Sequence, residues 1–437
     1  MSLSVIVFIV IALFVFLVVT GHYISSCLMA IGVVGIWLVR DFSAVRAFVI
    51  SVPWASIASY SLSTIPMYIL MAQFIMKAGI IRDLYEIVYI LSRGKKAPLG
   101  ILTEVLGALL GAVSGSGVAT SSALGQITYP ELRKRNYTPE LASGICASAG
   151  ALSATIPPST IMLIYGITAE ASISKMFEGA FIPGIICTAS FIAVTIFYLN
   201  KEKDYVSPDA DTSYNAEHFS ILSFLPSLIG GVLIFVSVFG GIFSGLFTPT
   251  EAGAVGCAIA FIVALISRKM TFEYFLHALR DAAATTSMCM LLVMAASVFA
   301  RFISFSLIPR YLIELMQPLI ARPVILLVII TLFYFVLFML MDGTSPVLMT
   351  VPFLLPVIEA AGYDKIWFGI YLAVCVTVGM MTPPVGMVTY ATAAVTKVAS
   401  KDLFKVTTVY AIVGLVITGG LIIVFPQIVT WLPSLLG

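Results

Sequence analysis

The chain's 437 residues are 60% hydrophobic and only 10% charged, with a net charge of +2 and a mean hydropathy of +1.10. Soluble domains carry about 25% charged residues, so this composition excludes a water-soluble protein and places most of the chain in lipid, as an all-α polytopic membrane protein. The small net charge excludes a general affinity for nucleic acid, and the basic residues gather in short clusters between apolar runs, where they mark loops.

At about 20 apolar residues per span, residues 4–20, 22–39 and 50–76 read as the first helices, the third kinked by Pro53 and Pro66. The first run lacks a basic stretch and a small-residue cleavage site, and a second apolar run follows at once. It is therefore expected to be retained, with no soluble domain attached at either end. Residues 79–92 set Ile80, Ile81, Leu84, Ile87, Val88 and Leu91 opposite Arg82, Asp83 and Glu86, the pattern of an amphipathic helix lying at the interface. Residues 100–128 form an apolar segment interrupted over Ser114-Gly115-Ser116-Gly117. Helices over 139–155 and 159–171 follow, separated by Pro157-Pro158, and then a span over 177–199. Residues 200–220 are the one long polar stretch, expected to be a solvent-exposed linker. The second half reads 221–243, 250–267, 283–303, an amphipathic piece over 306–320, then 323–341, a break over 342–346, spans over 366–381 and 385–395, and a last helix over 406–423.

The two halves match. One ungapped shift of 226 residues superimposes Gly117 on Gly343, Pro130 on Pro356, Tyr137 on Tyr363, Pro157-Pro158 on Pro383-Pro384 and Lys96 on Arg322. The chain is thus expected to be a duplication. Residues 1–199 hold a re-entrant helical hairpin (about 100–128) and a broken helix (about 139–171). Residues 221–437 hold the same pair at about 325–356 and 366–395. The residues alone leave open whether the copies are inverted or parallel. In hydrocarbon an unpaired backbone group costs several kcal/mol, so non-helical backbone at membrane depth survives only inside protein or along a water-filled cavity. Interrupted segments at corresponding positions of two halves point to the midplane site of a secondary transporter.

Carbonyls at half-helix C-termini, joined by Ser and Thr hydroxyls, form a hard oxygen cage for a small cation, while half-helix N-termini offer N–H groups to a carboxylate. Asp342 either caps the half-helix that follows it or coordinates the ion. Glu104 and Glu251 read as structural, near an interface or paired. Enzyme chemistry finds no support: His22, His218 and His277 stand apart, and no phosphate loop, HExxH or nucleophile elbow is present. With no ATP site, transport would be driven by an ion gradient. The six cysteines are scattered singly and read as packing residues.

The stretches Val113-Ser114-Gly115-Ser116-Gly117-Val118-Ala119, Pro157-Pro158-Ser159, Leu246-Phe247-Thr248-Pro249-Thr250-Glu251-Ala252, Met341-Asp342-Gly343-Thr344 and Met381-Thr382-Pro383-Pro384-Val385-Gly386, in this order, resemble the large membrane subunit of tripartite ATP-independent periplasmic (TRAP) transporters. The resemblance implies a sodium-coupled, elevator-type carrier with inverted repeats in the bacterial inner membrane. It also implies a separate small four-helix membrane subunit and a periplasmic binding protein that delivers an organic acid, such as sialic acid or a C4-dicarboxylate. Sodium would be the coupling ion, with no other cofactor. Carried over by motif, one sodium would lie among Gly111, Ser114, Ser153, Ile156 and Pro158, largely on carbonyls, and a second among Asp342, Gly343, Gly379, Thr382 and Pro384. Ser116, Gly117, Thr344 and Ser345 would face the substrate. Two positions depart from the family pattern: Thr120 stands where an acid is frequent, and Cys375 where an asparagine is common. A self-sufficient sodium-coupled carboxylate carrier or ion antiporter, and a non-transporting scaffold subunit, are the alternatives.

Overall fold

The computed structural model describes residues 3–77, 80–93, 95–210, 221–268 and 270–436. Among them every regular element is helical. The first half runs α1 (Leu3–Val19), α2 (Ile24–Val39), α3 (Phe42–Ile57), α4 (Thr64–Lys77), α5 (Ile80–Ser92), α6 (Lys96–Ser114), α7 (Gly117–Lys134), α8 (Pro139–Ala151), α9 (Thr160–Thr168) and α10 (Ile173–Lys201). The second half runs α11 (Ile221–Phe235), a π-helical turn (Val236–Gly240), α12 (Gly241–Phe243), α13 (Pro249–Ile266), α14 (Phe272–Phe305), α15 (Ile308–Ile320), α16 (Pro323–Leu340), α17 (Thr344–Ala360), α18 (Lys365–Gly379) and α19 (Met387–Thr396). It ends with α20 (Ser400–Gly414), a second π-helical turn (Leu415–Gly419), α21 (Gly420–Val424) and α22 (Gln427–Leu436). Among the described residues, five helices are long and apolar enough to cross a bilayer, or six if the bent α3–α4 pair is one span.

Packing repeats with the sequence. α2 lies on α14 and α13 on α4; α7 lies on α19 and α17 on α9; α8 lies on α20 and α18 on α10. Under the 226-residue shift the two members of each pair of contacts map onto one another, as two copies exchanged by a twofold axis require. Where lipid removes the hydrophobic drive between helices, close approach depends on small residues. A Cβ at Gly32 of α2 would stand 2.9 Å from the backbone of Phe299, and one at Gly35 would stand 2.4 Å from the Phe302 ring.

Several boundaries differ from the sequence expectation. The bend between α3 and α4 is 53° and falls at Ala58 and Ser59 rather than at the prolines. Pro66 occupies the first turn of α4, where a missing N–H costs no helical bond, and Pro53 is carried inside α3. α5 turns Asp83, Tyr85, Val88 and Tyr89 inward and leaves Leu91 65% exposed. It packs on α6 and α11, and Asp83 accepts a hydrogen bond from Ser227 Oγ, so its polar face is partly an internal one. α14 begins at Phe272 because its polar first turns are helical without being apolar, and α22 follows the last expected helix. Residues 201–210, expected as free linker, are tied to the first half. Arg133 donates to Tyr137 O, to Tyr205 Oη at 3.0 Å and to Asp209 Oδ2 at 3.1 Å. Ser207 N donates to Asn136 Oδ1 at 2.9 Å, and Thr138 Oγ1 to Glu202 Oε2 at 2.9 Å. The remainder of the expected linker, 211–220 including His218, lies outside the described residues.

Candidate functional site at the hairpin tips

The first break is made by one left-handed residue. Gly115, at φ +61°, ends α6 and returns its N–H to Gly111 O at 2.8 Å, a conformation that glycine adopts without a Cβ penalty. Ser116 then opens α7 by accepting the Ala119 N–H at 3.4 Å. Ser114 Oγ accepts the Ser116 N–H at 3.3 Å and sits 2.5 Å from Thr120 Oγ1.

This tip lies on the loop of its own broken helix. A Cβ at Gly111 would fall 2.8 Å from Ser153 Cα, one at Gly115 3.4 Å from Pro158 O, and one at Gly117 3.3 Å from Ser153 Oγ. Gly111, Ser153, Pro158 and Gly117 are therefore brought together. Ile156 turns its side chain toward Gly184 of α10, away from these contacts. Ser153 is fully buried and its Oγ has no hydrogen-bond partner. A buried, unmade hydroxyl costs about 1–3 kcal/mol, and a cation at this junction would engage its oxygen lone pairs.

The second tip is built differently at equivalent positions. Asp342, which the 226-residue shift places on Ser116, accepts the Thr344 and Ser345 N–H groups at 3.0 and 3.3 Å. Of its two expected roles, the cap is thus present. Gly343 lies close to Val376 and Met380 of the broken helix and to Ile161 of the other repeat; Gly379 lies on Phe338. Thr382 donates its hydroxyl to Val378 O at 2.6 Å and its N–H to Gly379 O at 3.0 Å, leaving the hydroxyl's lone pairs uncommitted as donors to a cation. Beyond Pro384, the N–H groups of Val385 and Gly386 both reach Met339 O, at 3.1 and 3.2 Å, which pins the double-proline loop to the hairpin arm. Thr344 is half-buried, whereas Ser345 is 5% exposed.

Both tips also touch the opposite repeat. Gly117 approaches Val388 of α19, and Gly343 approaches Ile161 of α9. Thr155 Oγ1 and Thr377 Oγ1, 2.6 Å apart, join the two broken helices, a contact no sequence spacing announced. Glu104 is fully buried rather than interfacial; its Oε1 accepts Ser148 Oγ at 2.7 Å and Thr195 Oγ1 at 3.2 Å. Glu251 forms a capping box with Thr248, the structural role expected of it. Among the described residues, no three His, Cys, Asp or Glu side chains converge on a metal-sized point. The donors at the tips are carbonyls, hydroxyls and one carboxylate, a hard set that suits an alkali cation.

A family model described as the tripartite ATP-independent periplasmic transporter, DctM component, matches residues 10–428. The chain belongs to this family. It is 32% identical over 348 residues to the 2,3-diketo-L-gulonate TRAP transporter large permease protein of Escherichia coli (strain K12), covering 79% of this chain and 80% of that one. It is 30% identical over 380 residues to the sialic acid TRAP transporter large permease protein of Vibrio cholerae, covering 87% of each. In fold it is similar to the crystal structure of the Alcanivorax borkumensis YdaH transporter, with a TM-score of 0.69 over 98% of this chain and 99% of that one at 12% identity. As a TRAP large membrane subunit the chain is a multi-pass membrane protein of a secondary transport system for organic acids, and its relatives are permeases rather than enzymes.

Proposed function

We propose that this TRAP subunit carries a carboxylate solute across the bacterial inner membrane with sodium. The solute is handed over by a periplasmic binding protein, and a separate small four-helix membrane subunit enlarges the static scaffold. The observation that carries the reading is the paired junction of hairpin tip and double-proline loop, with Ser153 Oγ buried and unpartnered at the first. One sodium is assigned to Gly111, Ser114, Ser153, Ile156 and Pro158, and a second to Asp342, Gly343, Gly379, Thr382 and Pro384. The carboxylate is assigned to the space between the tips, beside Ser116, Gly117, Thr344 and Ser345.

Asp342 supplies the coupling. Its carboxylate already occupies N–H groups at the start of α17, where a substrate carboxylate would otherwise be favoured. Two unit charges of like sign 4 Å apart repel by about 4 kcal/mol at an effective dielectric constant of 20. Sodium at the second tip offsets that repulsion, so the anion binds well only after the cation. Loaded with both, the hairpins and broken helices move as one unit against the remaining helices, an elevator step. Ion and solute reinforce each other by a reciprocal coupling free energy.

The test is uptake of a panel of radiolabelled organic acids into proteoliposomes containing this chain and its small subunit, with and without the binding protein and an inward sodium gradient. Uptake that needs both supports the reading and identifies the solute. Uptake that needs neither overturns it in favour of a self-sufficient carrier.

A further inference from the structure

We propose that Thr120 is a positioning residue of the first hairpin tip: its hydroxyl accepts a hydrogen bond from the Ser114 O–H, so that a Ser114 lone pair faces the cation, and Thr120 thereby sets the sodium affinity of that tip. This inference rests on the sodium-coupled reading above and adds a residue to it.

Ser114 is the last residue of α6, and Thr120 lies in the first turn of α7; the chain reversal at Gly115 folds one hydroxyl onto the other, 2.5 Å apart. Thr120 is 1% exposed, so water does not compete for its hydroxyl. Its backbone N–H is committed to Ser116 O at 3.0 Å. A helical threonine ordinarily returns its hydroxyl to the carbonyl four residues back, and Thr103, Thr168 and Thr188 all do so here. Thr120 does not; its hydroxyl crosses the break to Ser114.

The donor inventory of Ser114 decides what that contact does. A serine hydroxyl has one proton and two lone pairs. One lone pair of Ser114 accepts the Ser116 N–H. If Thr120 donates to Ser114, the second lone pair is used and the Ser114 proton points out of the pair, where it would repel a cation. If Ser114 donates to Thr120, the second lone pair is free. The two arrangements share the same heavy-atom positions, and the second also turns the Thr120 proton away from Ser114; the attraction of a cation for the freed Ser114 lone pair offsets that cost, so a bound cation favours the second. Thr120 must then act as acceptor, and it must be there to do so. An isosteric residue without a hydroxyl leaves the Ser114 proton with no acceptor inside the tip.

The experiment is sodium titration of reconstituted uptake, together with the sodium-dependent rise in melting temperature of the purified complex. Thr120→Val should raise the sodium concentration for half-maximal uptake by about three- to tenfold, the range set by one net hydrogen bond, with maximal uptake little changed and the sodium-free melting temperature lowered only as far as the loss of that one bond requires. Thr120→Ser, which restores the acceptor, should stay within about twofold of wild type. Ser114→Ala should shift the titration similarly, and Ser114→Ala/Thr120→Val should shift it no further, because residues acting through one contact are non-additive. Should the valine variant fail to fold, Thr120→Ala carries the same expectation. A wild-type sodium response in Thr120→Val, or shifts of the two single variants that add in the double, would overturn the role of Thr120 alone. Absence of any sodium response in the wild-type protein would overturn the sodium reading and this inference with it.

Discussion

Replacing Gly111 by alanine tests whether the contact between hairpin arm and double-proline loop sets ion affinity. The new Cβ would stand 2.8 Å from Ser153 Cα and 2.9 Å from Ser153 N, against an optimum of about 3.5–4.0 Å between carbon atoms. Both neighbours are backbone atoms of a buried segment and cannot rotate away, so α6 must lift off the loop by roughly 1 Å. Overpacking of this kind costs about 1–3 kcal/mol. If the strain is relieved by separating the tip from Ser153, it falls on the sodium-bound state. Half-maximal sodium should then rise by about 5- to 150-fold, the factor that corresponds to 1–3 kcal/mol of coupling. The assay is sodium-dependent thermal stabilisation of the purified complex, with sodium-driven uptake alongside. Gly420→Ala is the control, since a Cβ there meets nothing within 4 Å; it should leave the sodium response unchanged. A Gly111→Ala protein with wild-type sodium affinity would refute the argument that this close approach builds the ion site.

Ser153→Ala should be neutral or slightly stabilising without sodium, because it deletes a buried hydroxyl that has no partner; in sodium it should lose part of the ligand-induced stabilisation. That reversal of sign between the two conditions, read by thermal unfolding, is not produced by a packing defect. Asp342→Asn keeps a side-chain acceptor for the Thr344 and Ser345 N–H groups but removes the charge, so it should fold normally and lose sodium-coupled uptake, whereas Asp342→Ala should in addition lose about 0.5–2 kcal/mol of stability with the cap; unaltered sodium coupling in the asparagine variant would count against an electrostatic role. Arg133→Ala removes the anchor shared by Tyr137, Tyr205 and Asp209 and should speed proteolysis within 201–210, while Asp209→Asn, at a side chain that is itself 62% exposed, should change little.

The duplication was legible because its punctuation is local: proline fixes φ and glycine permits turns closed to other residues wherever they stand, so Gly117, Pro130 and the double prolines recur at one spacing in the second half. The motifs also set the first hairpin beside its double-proline loop, where Gly111 lies on Ser153 and Gly115 on Pro158. What escaped depends on neighbours that no spacing encodes. The face of α5 was read for lipid, but α6 and α11 cover it, and Asp83 finds Ser227 across a separation of 144 residues. The anchoring of 201–210 needed Arg133 to be recognised as a donor to a segment far along the chain. The Ser114–Thr120 pair spans only six residues, yet it forms because Gly115 reverses the chain, a left-handed turn that makes a distant position on a continuous helix an immediate neighbour.

The most direct measurement is equilibrium binding of radioactive sodium to the purified complex, compared among wild type, Ser153→Ala and Thr382→Ala. The account predicts two saturable sodium ions per large subunit, with Ser153→Ala weakening one and Thr382→Ala weakening the other. No saturable sodium binding in the wild type, or full binding retained in both variants, would contradict it.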